Sequence, residues 1–156
     1  MSGRMSRNKG KRGERLVRDK LIEYGIPAER IKIVPLSGMC EGFKGDLLID
    51  DHRCEVKWRA DGFRRLYNHV QTDGAWAVWW IIGIDGNMIL MSLQNFVAWY
   101  CQPQELCYPS IAYSRYGKKY QQIEKWLAPV DFLFLKADRK PVIVILRRAT
   151  FEGKEM

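Results

Sequence analysis

A chain of 156 residues is sized for one domain, and 47% apolar with 28% charged residues is an ordinary globular mixture. A domain of this length buries roughly two-thirds of its unfolded surface, which removes any need for disulfides or a structural metal. The charge is unbalanced, 26 Lys and Arg against 18 Asp and Glu for a net +8, and this points to a polyanionic partner, nucleic acid or an anionic membrane.

The membrane reading is weak, because the longest apolar run, Ala75 to Ile82, falls far short of the roughly 20 residues of a spanning helix. The basic N-terminus is not followed by an apolar h-region, so no secretory signal is expected. The expected location is cytoplasmic: nucleoid-associated, or the host cytoplasm for a viral protein. Cys40, Cys54, Cys101 and Cys107 form no Cys-x-x-Cys pair and His52 and His69 are the only histidines, so reduced thiols are expected rather than a zinc site.

Residues 1–20 hold eight basic side chains and two acidic ones. Residues 1–8 read as a loose basic arm, ahead of a single domain over 9–156. The first helix should run from Lys9 to Tyr24, with Val17, Leu21 and Tyr24 on one face and Leu16 beside them. Gly25 then supplies the stop and Pro27 prevents continuation. A strand is predicted over Arg30 to Leu36, then a Gly-rich loop over 38–45. Strands over Asp46 to Asp50 and Arg53 to Trp58 should be joined by a turn at Asp51-His52. Phe63 to Gln71 reads as a helix capped by Asp61. Ala75 to Ile84 and Met88 to Met91 flank Asp85-Gly86-Asn87, a hairpin signal. Leu93 to Tyr100 reads as a helix, 101–117 as loop and Lys118 to Leu127 as a helix. A final hairpin joins Phe132 to Lys136 with Val142 to Leu146. This order describes an α/β or α+β domain around one mixed sheet.

Chemistry concentrates between residues 14 and 57. With the turn at Asp51-His52, Asp50 pairs with Arg53, Leu48 with Glu55 and Asp46 with Lys57. Opposed residues share a face, so Asp46, Glu55 and Lys57 lie together, over a core face of Leu47, Ile49, Cys54 and Val56. The Asp46–Glu55 diagonal would be roughly 7–8 Å at the backbone. Two carboxylates at that spacing can converge on Mg²⁺, a cation that takes oxygen ligands. A neighbouring lysine can orient water and offset the charge of a phosphodiester transition state. Acidic-x-Lys occurs three times: Glu55-Val56-Lys57 on a strand, Asp138-Arg139-Lys140 in a turn and Glu152-Gly153-Lys154 in the tail. A solvated edge hairpin would explain the first triplet as well. Glu14 shifts the balance, because it lies on the same helical face as Val17, Leu21 and Tyr24.

The segment Lys11 to Lys57 resembles the archaeal-type Holliday-junction resolvases of the PD-(D/E)XK nuclease superfamily. The matching features are Gly13-Glu14-Arg15 opening the first helix, Ser37-Gly38 after the first strand, Gly45-Asp46 opening the second and Glu55-Val56-Lys57 in the third. The last hairpin, with Ala137-Asp138-Arg139-Lys140-Pro141, is similar to the final strands of phage-type members. The resemblance implies a restriction-endonuclease-like mixed β-sheet flanked by helices. It carries Glu14, Asp46 and Glu55 over as metal-site carboxylates, Lys57 as the catalytic lysine and Ser37 as a loop serine near the site. It implies Mg²⁺ (with Mn²⁺ as a substitute), a four-way DNA junction as substrate and a C2 homodimer. Arg15 matches a basic position used on DNA; Arg7, Lys9, Lys11, Arg12, Arg59, Arg64 and Arg65 are the further DNA-binding candidates. Gln71 ends a helix where superfamily members often carry a polar residue.

Residues 72–117 exceed what a minimal resolvase needs and read as an insertion. They hold Trp76, Trp79, Trp80 and Trp99, candidates for core, subunit interface or base stacking. Two alternatives stay open on sequence: another PD-(D/E)XK endonuclease of repair or restriction type, and a non-catalytic nucleic-acid-binding module.

Overall fold

The computed structural model describes residues 3–34, 46–72, 78–82, 88–101, 110–114 and 118–154, with backbone alone for 3–10, 71–72, 78–82, 110–114, 118–120 and 154. Among these residues the chain forms α1 (Gly3–Tyr24), β1 (Ile31–Ile33), β2 (Leu47–Ile49), β3 (His52–Arg59) and α2 (Arg64–Thr72). It continues through β4 (Val78–Ile82), β5 (Met88–Ser92), α3 (Leu93–Cys101), β6 (Ser110–Ser114) and α4 (Lys118–Leu127). It closes with β7 (Phe132–Ala137), β8 (Ile143–Arg147) and α5 (Arg148–Lys154). The eight strands make one mixed sheet in the order β1-β2-β3-β7-β8-β5-β4-β6.

The first three strands are an antiparallel meander, and β7 then joins β3 in parallel. A parallel neighbour needs a long crossover, here everything from α2 to α4. The central strands are covered on both faces, so FLFLKA and IVILR are nearly continuous apolar runs. Phe132 and Phe134 pack with α1, α3 and α5 on one face. Leu133 and Leu135 pack with α2 and α4 on the other.

Helix α1 begins at Gly3, so residues 3–8, expected as a loose arm, are helical. Val17 and Leu21 are buried, whereas Tyr24, expected beside them, is 38% exposed. Gly25 (φ 129) ends the helix as expected: Gly25 N–H donates to Ile22 O (3.1 Å) and Ile26 N–H to Leu21 O (3.0 Å), a Schellman closure that buries Ile26 instead.

Other expectations need correction. Asp61 is not the cap of α2: the residue before that helix is Phe63 (φ 58), whose carbonyl accepts Tyr67 N–H at 3.0 Å. A strand, β6, lies inside 101–117, where loop was expected, and pairs in parallel with β4. The tail forms α5, in which Glu152 accepts from Arg148 Nε at 2.6 Å. The segment 72–117 supplies β4, β5, α3 and β6, and β5 pairs with the central β8. These residues therefore extend the same sheet. The Gly-rich loop over 38–45 and the Asp85-Gly86-Asn87 turn lie outside the described residues. No described helix is long and apolar enough to cross a membrane.

Candidate active site

Strand β3 carries the site because its two faces differ. Cys54 and Val56 point into the core, while Glu55 and Lys57 alternate with them and remain partly accessible. Two residues apart on one face, Glu55 and Lys57 meet: Lys57 Nζ lies 3.1 Å from Glu55 Oε1. Trp126 of α4 lies beside this pair. Its ring sits 5.4 Å from Lys57 Nζ and 4.9 Å from Arg59 Cζ, measured to the ring centroid, within range of a cation–π attraction.

Asp46 reaches the same place by another route than expected. The β2–β3 turn falls at Asp50-Asp51, with Asp50 at φ 54, so Leu48 pairs with Arg53 rather than with Glu55. Asp46 therefore does not face Lys57. Its N–H donates to Cys54 O (2.6 Å), the residue that Leu47 already pairs with, and this makes a bulge. The Asp46 carboxylate then turns back, and its Oδ2 accepts Val56 N–H at 2.9 Å. A side chain takes over the ladder just before β2 begins, and the carboxylate is held beside Glu55.

Glu14 arrives from α1. Its neighbour Gly13 lies so close to β3 that an added Cβ would stand 3.3 Å from Val56 Cγ1 and 3.4 Å from Trp58 Cε3. That close approach brings Glu14 within the field of both other acids. Burial, then Asp46, then Glu55 push its carboxyl up from 4.5 to about 7, against the lowering effect of Lys11 and Arg15. Glu55 is also raised, chiefly by burial and next by Asp46, while Lys57 opposes the shift. Three carboxyl groups have been folded together against their own repulsion.

This donor set fits a hard divalent cation, which takes oxygen ligands and relieves such repulsion. As the side chains stand, no group of three His, Cys, Asp or Glu among the described residues is arranged to hold an ion. Glu55 Oε1 is paired with Lys57 Nζ.

The structure thus brings Glu14, Asp46, Glu55 and Lys57 together, with Lys11 and Arg15 beside Glu14. Arg12 leans elsewhere, over Trp58 at 5.5 Å. Arg59, Arg64 and Arg65 are exposed, Arg59 over the Trp126 ring. Ser37 lies outside the described residues, as do the side chains of Arg7, Lys9, Gln71, Trp79 and Trp80, and Trp76, Cys40 and Cys107 altogether. Trp99 is a core residue, stacked on Phe151 at 5.4 Å. Cys54 is buried, which pushes its thiol up, and Cys101 is exposed and free. Trp126 carried no signal in the sequence, because its role exists only where α4 crosses β3.

Set against known proteins, the chain matches no family model, no curated protein and no solved structure at a significant level. What the fold defines is a mixed α/β domain, and the site has to be read from its own chemistry.

Proposed function

We propose that this chain is a metal-dependent DNA endonuclease with a restriction-endonuclease-like core, acting on four-way junctions as a homodimer. The observation that carries the reading is the convergence of Glu14, Asp46 and Glu55 beside Lys57, with two of the carboxyls pushed up by burial and by each other. A protein that only bound nucleic acid would gain nothing from acids placed beside its phosphate path, because they repel the ligand; a bound cation inverts that repulsion.

Glu14, Asp46 and Glu55 are the residues that would hold Mg²⁺. When bound, the ion supplies positive charge that acidifies water and offsets charge on a phosphate oxygen. Lys57 is held between Glu55 and the Trp126 ring, so its ammonium is aimed at the carboxylates and not spread over many rotamers. From there it donates to the attacking water or to a phosphate oxygen and offsets the negative charge that grows in the transition state. Lys11 and Arg15 add a positive approach on the α1 side.

The junction preference rests on the resemblance of Lys11 to Lys57 to junction resolvases and on the order of α1, the β1–β3 meander and α2. Resolution needs a cut in each of two opposed strands, and the described residues of one subunit hold one such cluster, so a C2 dimer is the economical arrangement. The test is cleavage of a synthetic four-way junction against linear duplex, with and without Mg²⁺. Paired, Mg²⁺-dependent cuts in the junction are expected. Cutting of linear duplex alone would move the assignment to a repair or restriction-type endonuclease, and no cutting of either would end it. Sedimentation should give twice the subunit mass of 18.3 kDa, and a monomer making paired cuts would refute the dimer. Independently of activity, Mg²⁺ should raise the melting temperature of the wild type and not that of Glu55→Gln.

A further inference from the structure

At the far end of β3 from the turn at Asp50-Asp51, the chain makes the β7–β8 turn over residues 138–141. An ordinary hairpin turn is closed by one backbone bond and filled with Gly, Asn or Asp. This one is built differently. Lys140 N–H donates to Ala137 O (3.1 Å), and Asp138 N–H donates across to Arg59 O (3.0 Å). Lys136 Nζ folds over the turn and donates to Lys140 O (2.8 Å) and Ala137 O (3.1 Å). The Tyr67 hydroxyl of α2 grips both sides, accepting from Ala137 N–H (3.0 Å) and donating to Pro141 O (2.8 Å). Trp58 Nε1 donates to the Asp138 carboxylate at 2.5 Å. A solvated loop needs none of these ties, and together they remove the freedom a loop would otherwise lose on binding.

What the frame presents is positive. Arg139 sits at φ 64 and is exposed, as is Lys140. A left-handed turn position suits Gly or Asn, yet here it carries a long cation. The acid of the turn, Asp138, is drawn back onto Trp58. Lys136 and Arg12 both lie over the Trp58 ring. Arg59, whose carbonyl accepts from the turn, is exposed, and so are Arg64 and Arg65 on α2, the helix whose Tyr67 grips the turn. Asp61, also exposed, is an acid in the segment before α2. Arg59 pairs with Ala137 on the strand that bears Glu55. Four residues of strand separate Arg59 from Glu55, roughly 13 Å at about 3.3 Å per residue, or about four base-pair rises of a duplex. A membrane-binding surface would set large exposed apolar side chains among these cations, and among the described residues those are Ile22 and Tyr24 of α1, not residues of the turn.

We propose that the β7–β8 turn is a preformed contact for the backbone phosphates of DNA, with Arg139 and Lys140 as its phosphate-binding side chains. The proposal rests on the nuclease reading for its choice of polyanion, and it adds a contact distant from the scissile phosphate. Such contacts position a duplex without reading its sequence.

The test is a salt titration of binding by the full chain to a four-way junction and to a linear duplex, in EDTA so that nothing is cut. For Arg139→Gln/Lys140→Gln the slope of log K against log salt should fall by about two, and affinity at low salt by roughly ten- to a hundredfold. Single-turnover cleavage at saturating protein should keep its rate. Arg139→Gly/Lys140→Gln, with glycine suited to the positive φ, should behave the same way and guards against misfolding. Arg53→Gln/Arg148→Gln removes equal charge at the opposite end of the sheet and should leave the slope in place. An unchanged slope in the turn variants, an equal loss in the control pair, or no DNA binding by the wild type each overturns the proposal. Turn-dependent binding without cleavage by the wild type would sink the endonuclease reading and leave the contact standing. Cleavage with an unchanged slope would do the reverse.

Discussion

Two polar clusters sit along β3, one at its start and one at its middle, and they are wired in opposite ways. At its start, Asp50 accepts both Arg30 Nε (2.9 Å) and Nη2 (2.7 Å) and also the Tyr100 hydroxyl. Asp131 there takes Arg53 N–H (3.2 Å), with His52 and Arg147 at 3.4 and 3.6 Å. Each acid is matched to donors, and the Arg30 guanidinium holds its proton more tightly for it. Further along, Glu14, Asp46 and Glu55 lie within one another's field, and burial first, then their repulsion, pushes two of the carboxyls up. The same residue types therefore do different jobs. Matched charges tie the meander to α3 and β8, whereas like charges gathered against their repulsion store a demand for a cation.

The comparison predicts that mutations in the two clusters separate activity from stability. The largest effect is expected at the carboxylates. Glu55→Gln and Asp46→Asn should abolish cleavage while the protein stays folded and binds DNA, and Lys57→Ala should cost roughly two to four orders of magnitude in rate. Near-wild-type cutting by either amide variant, with Mg²⁺ present, would show that these acids are an ordinary charged surface.

Next comes Trp126. Replacing it with Leu keeps an apolar filler but removes the ring beneath Lys57 and Arg59, so kcat should fall by roughly tenfold with little change in KM. Phe should restore most of the rate. An equal loss in a Lys57→Ala background would show that Trp126 acts through packing alone.

The matched end should respond in stability. Asp50→Ala leaves the buried Tyr100 hydroxyl without this acceptor and should cost about 1–2 kcal/mol by denaturant titration, with cleavage rate retained. The pair is too exposed for its Coulomb energy to add much.

The smallest effect is a pH dependence of opposite sense to that of a matched acid. Glu14 is raised from 4.5 to about 7 in the fold, so the native state binds its proton more tightly than the unfolded chain does. Its contribution to stability is fully present below 4.5 and is lost as pH rises through about 7. Glu55, also raised, acts in the same direction. Metal-free protein should therefore melt at a lower temperature as pH rises across that window. Glu14→Gln should flatten the curve and exceed the wild type at about pH 8. A wild-type curve that rises instead would mean that the acids are matched after all.

Much of this was legible in the chain. Periodicity and punctuation marked α1 with its Gly25 stop, the β2–β3 pair, α4 and the apolar β7–β8 hairpin, because each is determined by neighbours within a few residues. Glu55 and Lys57 share a face by the period of a strand alone, and burial of Cys54 and Val56 follows from the same alternation. The register was not legible. Asp-Asp-His permits turns one residue apart, and the choice fell to Asp50 accepting φ 54 under the grip of Arg30 and Tyr100, which are distant in sequence. β6 was missed because Ser110–Ser114 is short and follows prolines, and only β4 alongside gives it a ladder.

By itself, then, the sequence determined the class of elements, the core-facing alternation and the residue types able to hold a cation, since these follow from local periodicity and side-chain chemistry. Only the tertiary structure decided that Gly13 lets Glu14 close on Asp46 and Glu55, that a bulge aims Asp46, and that Trp126 backs Lys57. The physical reason is the same in each case. These contacts are made between elements far apart in the chain, and their geometry exists only once the sheet has paired and the helices have packed on it.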